Sequence, residues 1–78
     1  MIPVASSNLR AVDYNYSNGT LTILFHNGRT YEYYNVPQHI FEGLLSAPSK
    51  GRYHHRYIKP YPYHRINWIL KNLKSILS

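Results

Sequence analysis

The sequence predicts an α+β domain: a three-stranded antiparallel β-meander with a short helix packed on one face and a C-terminal amphipathic helix. Three observations predict it. Two Asn-Gly dipeptides, Asn18-Gly19 and Asn27-Gly28, each lie between strand-like runs. A proline-bounded apolar stripe covers residues 37–47. A second stripe of helical period begins at Ile66.

Asn-Gly is the strongest short-range hairpin signal, because a two-residue type I′ turn needs positive φ at both central positions. The strands are expected at about Leu9–Ser17, Thr20–His26 and Arg29–Asn35. Two-residue turns would also set the register. Val12, Tyr14 and Tyr16 would then share the helix-facing side with Leu21, Ile23, Phe25 and Tyr34. Asp13, Asn15, Thr22, Leu24, His26, Arg29, Tyr31 and Tyr33 would take the other side. A bulged turn at either dipeptide would shift this pairing.

Pro37 suits the first turn of a helix, and Pro48 ends one, so Pro37–Ala47 is expected to be helical with Ile40, Phe41, Leu44 and Leu45 on one stripe. Gly51, Pro60 and Pro62 argue against a long helix in Ser49–Tyr63, which reads as a loop. In Ile66–Leu77 the residues Ile66, Ile69, Leu70, Leu73, Ile76 and Leu77 share a face opposite Asn67, Lys71, Asn72, Lys74 and Ser75. A helix this short is marginal alone, so that face is expected to pack on the domain or form a homodimer. Trp68 with Lys71 and Lys74 permits a membrane surface instead, but two lysines are few for it.

Seventy-eight residues make one domain, expected as 1–65 plus a helical extension at 66–78. There is no cysteine, which excludes disulfides and thiolate metal sites. The first seven residues have no basic stretch and no long apolar run, so neither a secretory signal nor a membrane span is expected, and a cytoplasmic location is the default.

Charge is unevenly distributed. Residues 1–48 hold Arg10 and Arg29 against Asp13, Glu32 and Glu42, a balance of −1. Residues 49–78 hold Lys50, Arg52, Arg56, Lys59, Arg65, Lys71 and Lys74 with no acid, a balance of +7. Such asymmetry points to an acidic partner, nucleic acid first. The interval 49–65 concentrates it: Lys50, Arg52, Arg56, Lys59 and Arg65 can meet phosphates, while Tyr53, His54 and His55 can stack or hydrogen-bond. Ser49, Lys50 and Gly51 can offer backbone N–H groups and a hydroxyl to a phosphate, although the Walker frame is missing. Tyr31 and Tyr33 project from one side of a strand and can stack bases if exposed, or pack beneath a helix if not.

No metal or other cofactor is expected, since neighbouring histidines such as His54 and His55 rarely chelate one ion and no carboxylate lies in the segment. No catalytic residue is assigned. A metal-independent ribonuclease using His54, His55, Arg56 and Lys59 is the enzymatic alternative.

Several ordered motifs resemble the KTSC domain family. They are Val4–Ser7, Leu21–Phe25, Asn27-Gly28 and Tyr31-Glu32-Tyr33-Tyr34-Asn35-Val36-Pro37. Further along come Phe41-Glu42-Gly43-Leu44-Leu45, Ala47, Ser49, Gly51, Tyr53, Ile58-Lys59 and Tyr61-Pro62-Tyr63. The resemblance spans about residues 2–65, and its central Tyr-x-Tyr mark falls on Tyr31 and Tyr33. The family takes its name from the C-terminus of some lysyl-tRNA synthetases and includes stand-alone bacterial and phage proteins. The resemblance implies RNA binding as a suggested role, with no established activity. Where family members commonly have a polar stretch with Asn, this chain has His54-His55-Arg56-Tyr57, and the segment from Ile66 extends past the usual end. The leading expectation is thus a small, basic, non-catalytic domain that binds RNA or single-stranded nucleic acid. The alternative is a phage-type protein that binds an acidic host protein or sequesters a nucleotide signal.

Overall fold

A computed structural model describes residues 1–67 of the chain. Five strands form one antiparallel sheet in sequence order: β1 (Ile2–Pro3), β2 (Leu9–Asn15), β3 (Thr20–Phe25), β4 (Thr30–Tyr33) and β5 (Tyr63–Ile66). Between β4 and β5 the chain makes α1 (Gln38–Ser46), then α2 (Lys50–Tyr53), which runs directly into a π-helical segment, His54–Ile58. The α+β class holds, but the expected three-stranded meander is corrected to five strands. The two extra strands are short edge strands. β1 is two residues long and contains Pro3, and β5 sits behind Pro60 and Pro62, so neither carries a sequence signal of its own.

The expected loop at 49–63 is also corrected. Ser49 caps α2 by accepting a hydrogen bond from the Arg52 backbone N–H. Gly51 lies in the first turn and Pro60 beyond the last, where neither blocks a helix. The Lys59 N–H reaches back to the His54 carbonyl at 2.9 Å, the five-residue step of a π turn. Ile66, expected to open a helix, instead pairs with Thr30 in β5. The remainder of the expected amphipathic helix, from Trp68, lies outside the described residues.

The two Asn-Gly turns decide which residues face the core. The first turn is longer than a two-residue hairpin: Asn15 pairs with Thr20, so four residues form the loop. Relative to the expected register this moves the pairing by two positions, which keeps Val12 and Tyr14 on the side of Leu21 and Ile23. The second turn has three residues, His26-Asn27-Gly28, closed by Phe25 N–H to the Arg29 carbonyl at 2.9 Å, with Gly28 at φ 86. This moves the pairing by one position and turns β4 over. Tyr33 opposes Leu21 and Tyr31 opposes Ile23, so both tyrosines lie on the helix-covered side, while Tyr34 goes to the outer side with Glu32. The expected assignment of these three tyrosines is therefore reversed.

The core forms between the sheet and the 38–58 helical layer. It contains Leu9, Val12, Leu21, Ile23 and Tyr33 from the strands, Val36 from the connection, Phe41 and Leu44 from α1, and Ile58 from the π-helical segment. Tyr14 stacks on Phe41 with ring centroids 4.6 Å apart and planes within 8°. Burying each aliphatic or aromatic side chain of this set contributes about 1.5–3 kcal/mol. Gly43 lets the helices meet closely. A Cβ there would collide with the Tyr53 hydroxyl oxygen, which donates a hydrogen bond to the Ile40 carbonyl at 2.9 Å.

Candidate functional site

The Ser49–Arg65 interval is spread over two surfaces by this fold. The α2 and π-helical residues pack beside the N-terminal connection between β1 and β2. There Ser6 Oγ accepts from the N–H groups of Asn8 and Leu9, both at 3.2 Å, which bends the chain. The His26 ring meets the Ser6 carbonyl at 2.8 Å, and the His26 N–H donates to the Asn8 carbonyl at 3.0 Å, tying this connection to the second turn. Gly51 permits the approach, because a Cβ there would collide with the Asn8 side-chain nitrogen.

Between these two segments is an open cleft of about 830 Å³. Ala5–Asn8 form one wall, and Ser49, Lys50, Gly51, Arg52, His55 and Arg56 form the other. Arg52, His55 and Arg56 are exposed, so their charges and donors face solvent. Lys50 is partly spoken for: its ammonium donates to the Leu45 and Ala47 carbonyls at 3.1 Å each and caps the end of α1. Lys59 is exposed just past the π turn, and Arg65 lies on β5 opposite Tyr31, so neither lines this cleft.

The two adjacent histidines diverge. His55 lines the cleft. His54 turns inward, where its ring packs edge-on against Phe25 and Tyr33 and its Nε2 sits 2.7 Å from the Tyr33 hydroxyl. Burial, with smaller Coulombic contributions from Lys59 and His55, lowers the His54 pKa to about 4, so the ring is neutral near pH 7. Burial raises the Tyr33 phenol above its ordinary range. His54 and Tyr33 thus form an internal contact rather than part of the solvent-facing set.

The aromatic side chains are redistributed in the same way. Tyr33 is 3% exposed and leaves no ring face for a base. Tyr31 is half-buried between Phe25 and Tyr63, and Tyr53 is held on α1. The rings that do face solvent are Tyr57, 44% exposed with the Arg56 guanidinium 5.5 Å from its centroid, and Tyr63, 54% exposed on β5. Sequence reasoning singles out neither for stacking. Tyr53 and Tyr57, four residues apart, share one side of the helical layer with ring centroids 4.8 Å apart, so their spacing alone does not mark the second as exposed. Among the described residues, no three His, Cys, Asp or Glu side chains come together as a metal site, and no helix is long and apolar enough to cross a membrane.

The pattern of the KTSC domain matches residues 5–63, most of the chain. This chain belongs to the KTSC domain family. A protein of Tsukamurella paurometabola is 42% identical over 60 residues, covering 77% of this chain and 90% of its own length. A lysine–tRNA ligase of Nostoc sp. is 45% identical over 53 residues, covering 68% of this chain but 9% of the ligase. The crystal structure of a KTSC domain protein from Yersinia pestis superposes with a TM-score of 0.77 at 36% identity, covering 82% of this chain and 92% of that one. In the present KTSC domain the Tyr-x-Tyr mark, Tyr31 and Tyr33, serves the packing of the helical layer on the sheet. Gly43 and Gly51 serve close contacts of that same layer.

Proposed function

We propose that this KTSC domain is a non-catalytic module that binds RNA or single-stranded nucleic acid in the cleft between Ala5–Asn8 and Ser49–Arg56. The observation that carries the reading is the convergence of exposed Arg52, His55 and Arg56 on one polar wall, with no acidic side chain lining the cleft. Guanidinium groups bind phosphate bidentately and in any base context, and the exposed ring of Tyr57 beside Arg56 offers a stacking face. A segment similar to this chain forms part of a lysine–tRNA ligase, a protein whose name specifies an RNA substrate, which accords with an RNA partner.

The test is fluorescence anisotropy with a labelled oligouridylate across a salt titration. Log K is expected to fall against log salt by about 0.7 for each phosphate contacted. Arg52→Ala/Arg56→Ala should flatten that slope by about 1.4 if each guanidinium contributes one contact. Affinity that ignores salt, or that is unchanged in the double variant, would overturn the proposal.

A further inference from the structure

The outer side of the sheet carries a second cationic hollow, of about 690 Å³, at the Asn27-Gly28 end. Arg10 from β2, Arg29 just after the second turn and Arg65 from β5 line it together with Leu24, Thr30 and Ile66. All three arginines are exposed. They come from three separate elements that the sheet brings to one end: Leu24 pairs with Thr30, next in sequence to Arg29, and Thr30 with Ile66, next to Arg65. A third, smaller hollow of about 350 Å³ lies around the same end of the sheet. It shares Ser7 and Asn8 with the main cleft and includes His26 and Asn27, next in sequence to the Gly28 and Arg29 of the arginine hollow.

The acids are kept away from all three. The chain has three, Asp13, Glu32 and Glu42. Asp13 and Glu32 line a separate hollow with Asn18 and Thr20 at the opposite end of the sheet, and Glu42 is on α1, hydrogen-bonded by Gln38 at 2.7 Å. Cations at one end of a sheet and carboxylates at the other make a gradient that orients a polyanion.

We propose that a single strand of nucleic acid wraps the Asn27-Gly28 end of the sheet, running from the Arg52–Arg56 cleft across Ser7–Asn8 and His26–Asn27 to the Arg10, Arg29 and Arg65 hollow. This rests on the nucleic-acid reading above and adds a second contact region to it. Its consequence is a dependence on length. A strand of about four nucleotides, the lower end of single-strand site sizes, occupies one hollow, and a strand of about fifteen reaches both.

The experiment measures salt-dependent binding of a 4-mer and a 15-mer oligouridylate to the wild-type chain, to Arg52→Ala/Arg56→Ala and to Arg10→Ala/Arg29→Ala/Arg65→Ala. On the proposal, the wild type has a steeper salt slope for the 15-mer than for the 4-mer. The arginine-hollow variant should lose about 2 from the 15-mer slope, three contacts at about 0.7 each. Absence of binding to the wild type would overturn the nucleic-acid reading, and the track with it. Binding that weakens in the cleft variant but is untouched in the arginine-hollow variant would overturn the track alone. Equal competition by polyglutamate, which has charge without bases, would overturn the nucleic-acid reading and the track with it. Should circular dichroism show the triple variant unfolded, Arg29→Ala alone, at an exposed turn, decides: a slope lower by about 0.7 supports the track and an unchanged slope overturns it.

Discussion

The Tyr33 hydroxyl and His54 Nε2 meet at 2.7 Å beneath the π-helical segment, joining a central strand to the helical layer. The two halves of the contact are twenty-one residues apart and both are withdrawn from solvent. Desolvation acts on both in the direction that keeps them neutral: the imidazole pKa falls to about 4 and the phenol pKa rises. A neutral pair can share one hydrogen bond inside the protein without the cost of burying a charge.

This pair makes stability depend on acid. The unfolded chain protonates His54 near its ordinary value of 6.5, while the folded chain does so only near 4. Between those values the unfolded state holds more protons, so this contribution is complete above about pH 6.5 and is lost progressively as pH falls toward 4. The ring is only half-buried, so the loss is on the order of 1–2 kcal/mol rather than the full value of the shift. Urea unfolding at pH 7.5 and 4.5 should show the difference, and His54→Gln should reduce it.

Tyr33→Phe removes the partner and leaves the imidazole nitrogen unpaired, with an expected cost of about 1–3 kcal/mol in the same assay. Tyr33→Phe/His54→Leu removes both polar groups and should cost less than the sum of the single changes. Additive costs would show that the hydrogen bond contributes no coupling.

Gly43→Ala should destabilise the domain although alanine favours helices. The new Cβ would overlap the Tyr53 hydroxyl oxygen and lie 2.7 Å from the ring carbon that bears it, so the tyrosine must move and its bond to Ile40 must break. Overpacking of this kind costs about 1–3 kcal/mol, more than the roughly 1 kcal/mol gained in helix propensity. Thermal melts of Gly43→Ala against Tyr53→Phe, which loses only the hydrogen bond, separate the two contributions. Gly43→Ala should be the less stable.

Lys50 and Arg52 should part company. Lys50→Ala removes the donor to the Leu45 and Ala47 carbonyls and is expected to lower stability by about 0.5–1 kcal/mol. Arg52→Ala, at an exposed side chain, should leave the melting temperature nearly unchanged while reducing the salt slope of oligonucleotide binding by about 0.7. Paired melts and anisotropy titrations of the two variants check both statements.

The two turn glycines give a graded comparison. Gly28 has φ 86 and open space where an alanine Cβ would project, so Gly28→Ala carries backbone strain alone, about 1 kcal/mol. Gly19 has φ 73 and would also bring a Cβ to 3.2 Å from the Val36 carbonyl oxygen, so Gly19→Ala should cost more. Chemical denaturation of the two variants gives the order.

Much of this architecture is legible in the chain before folding. Asn-Gly turns, the Val12, Leu21 and Ile23 alternation, and the Phe41 and Leu44 spacing between two prolines are local signals, set by backbone sterics and by the periods of helix and strand. So are the basic character of residues 49–65 and the KTSC motifs. Tertiary structure decided what each motif faces. One extra residue in the second turn inverted β4 and buried Tyr33, because side chains alternate with a period of two and a single-residue slip exchanges the faces. The strands β1 and β5 exist because β2 and β4 offer them hydrogen-bonding edges, not because such short runs carry a preference of their own. Packing turned His54 inward and left His55 in the cleft. The sheet brought Arg10, Arg29 and Arg65, far apart in sequence, to the lining of one hollow. Local chemistry determined the turns, the first helix and the charge, while the pairing of distant segments determined which of those charges and rings meet solvent together.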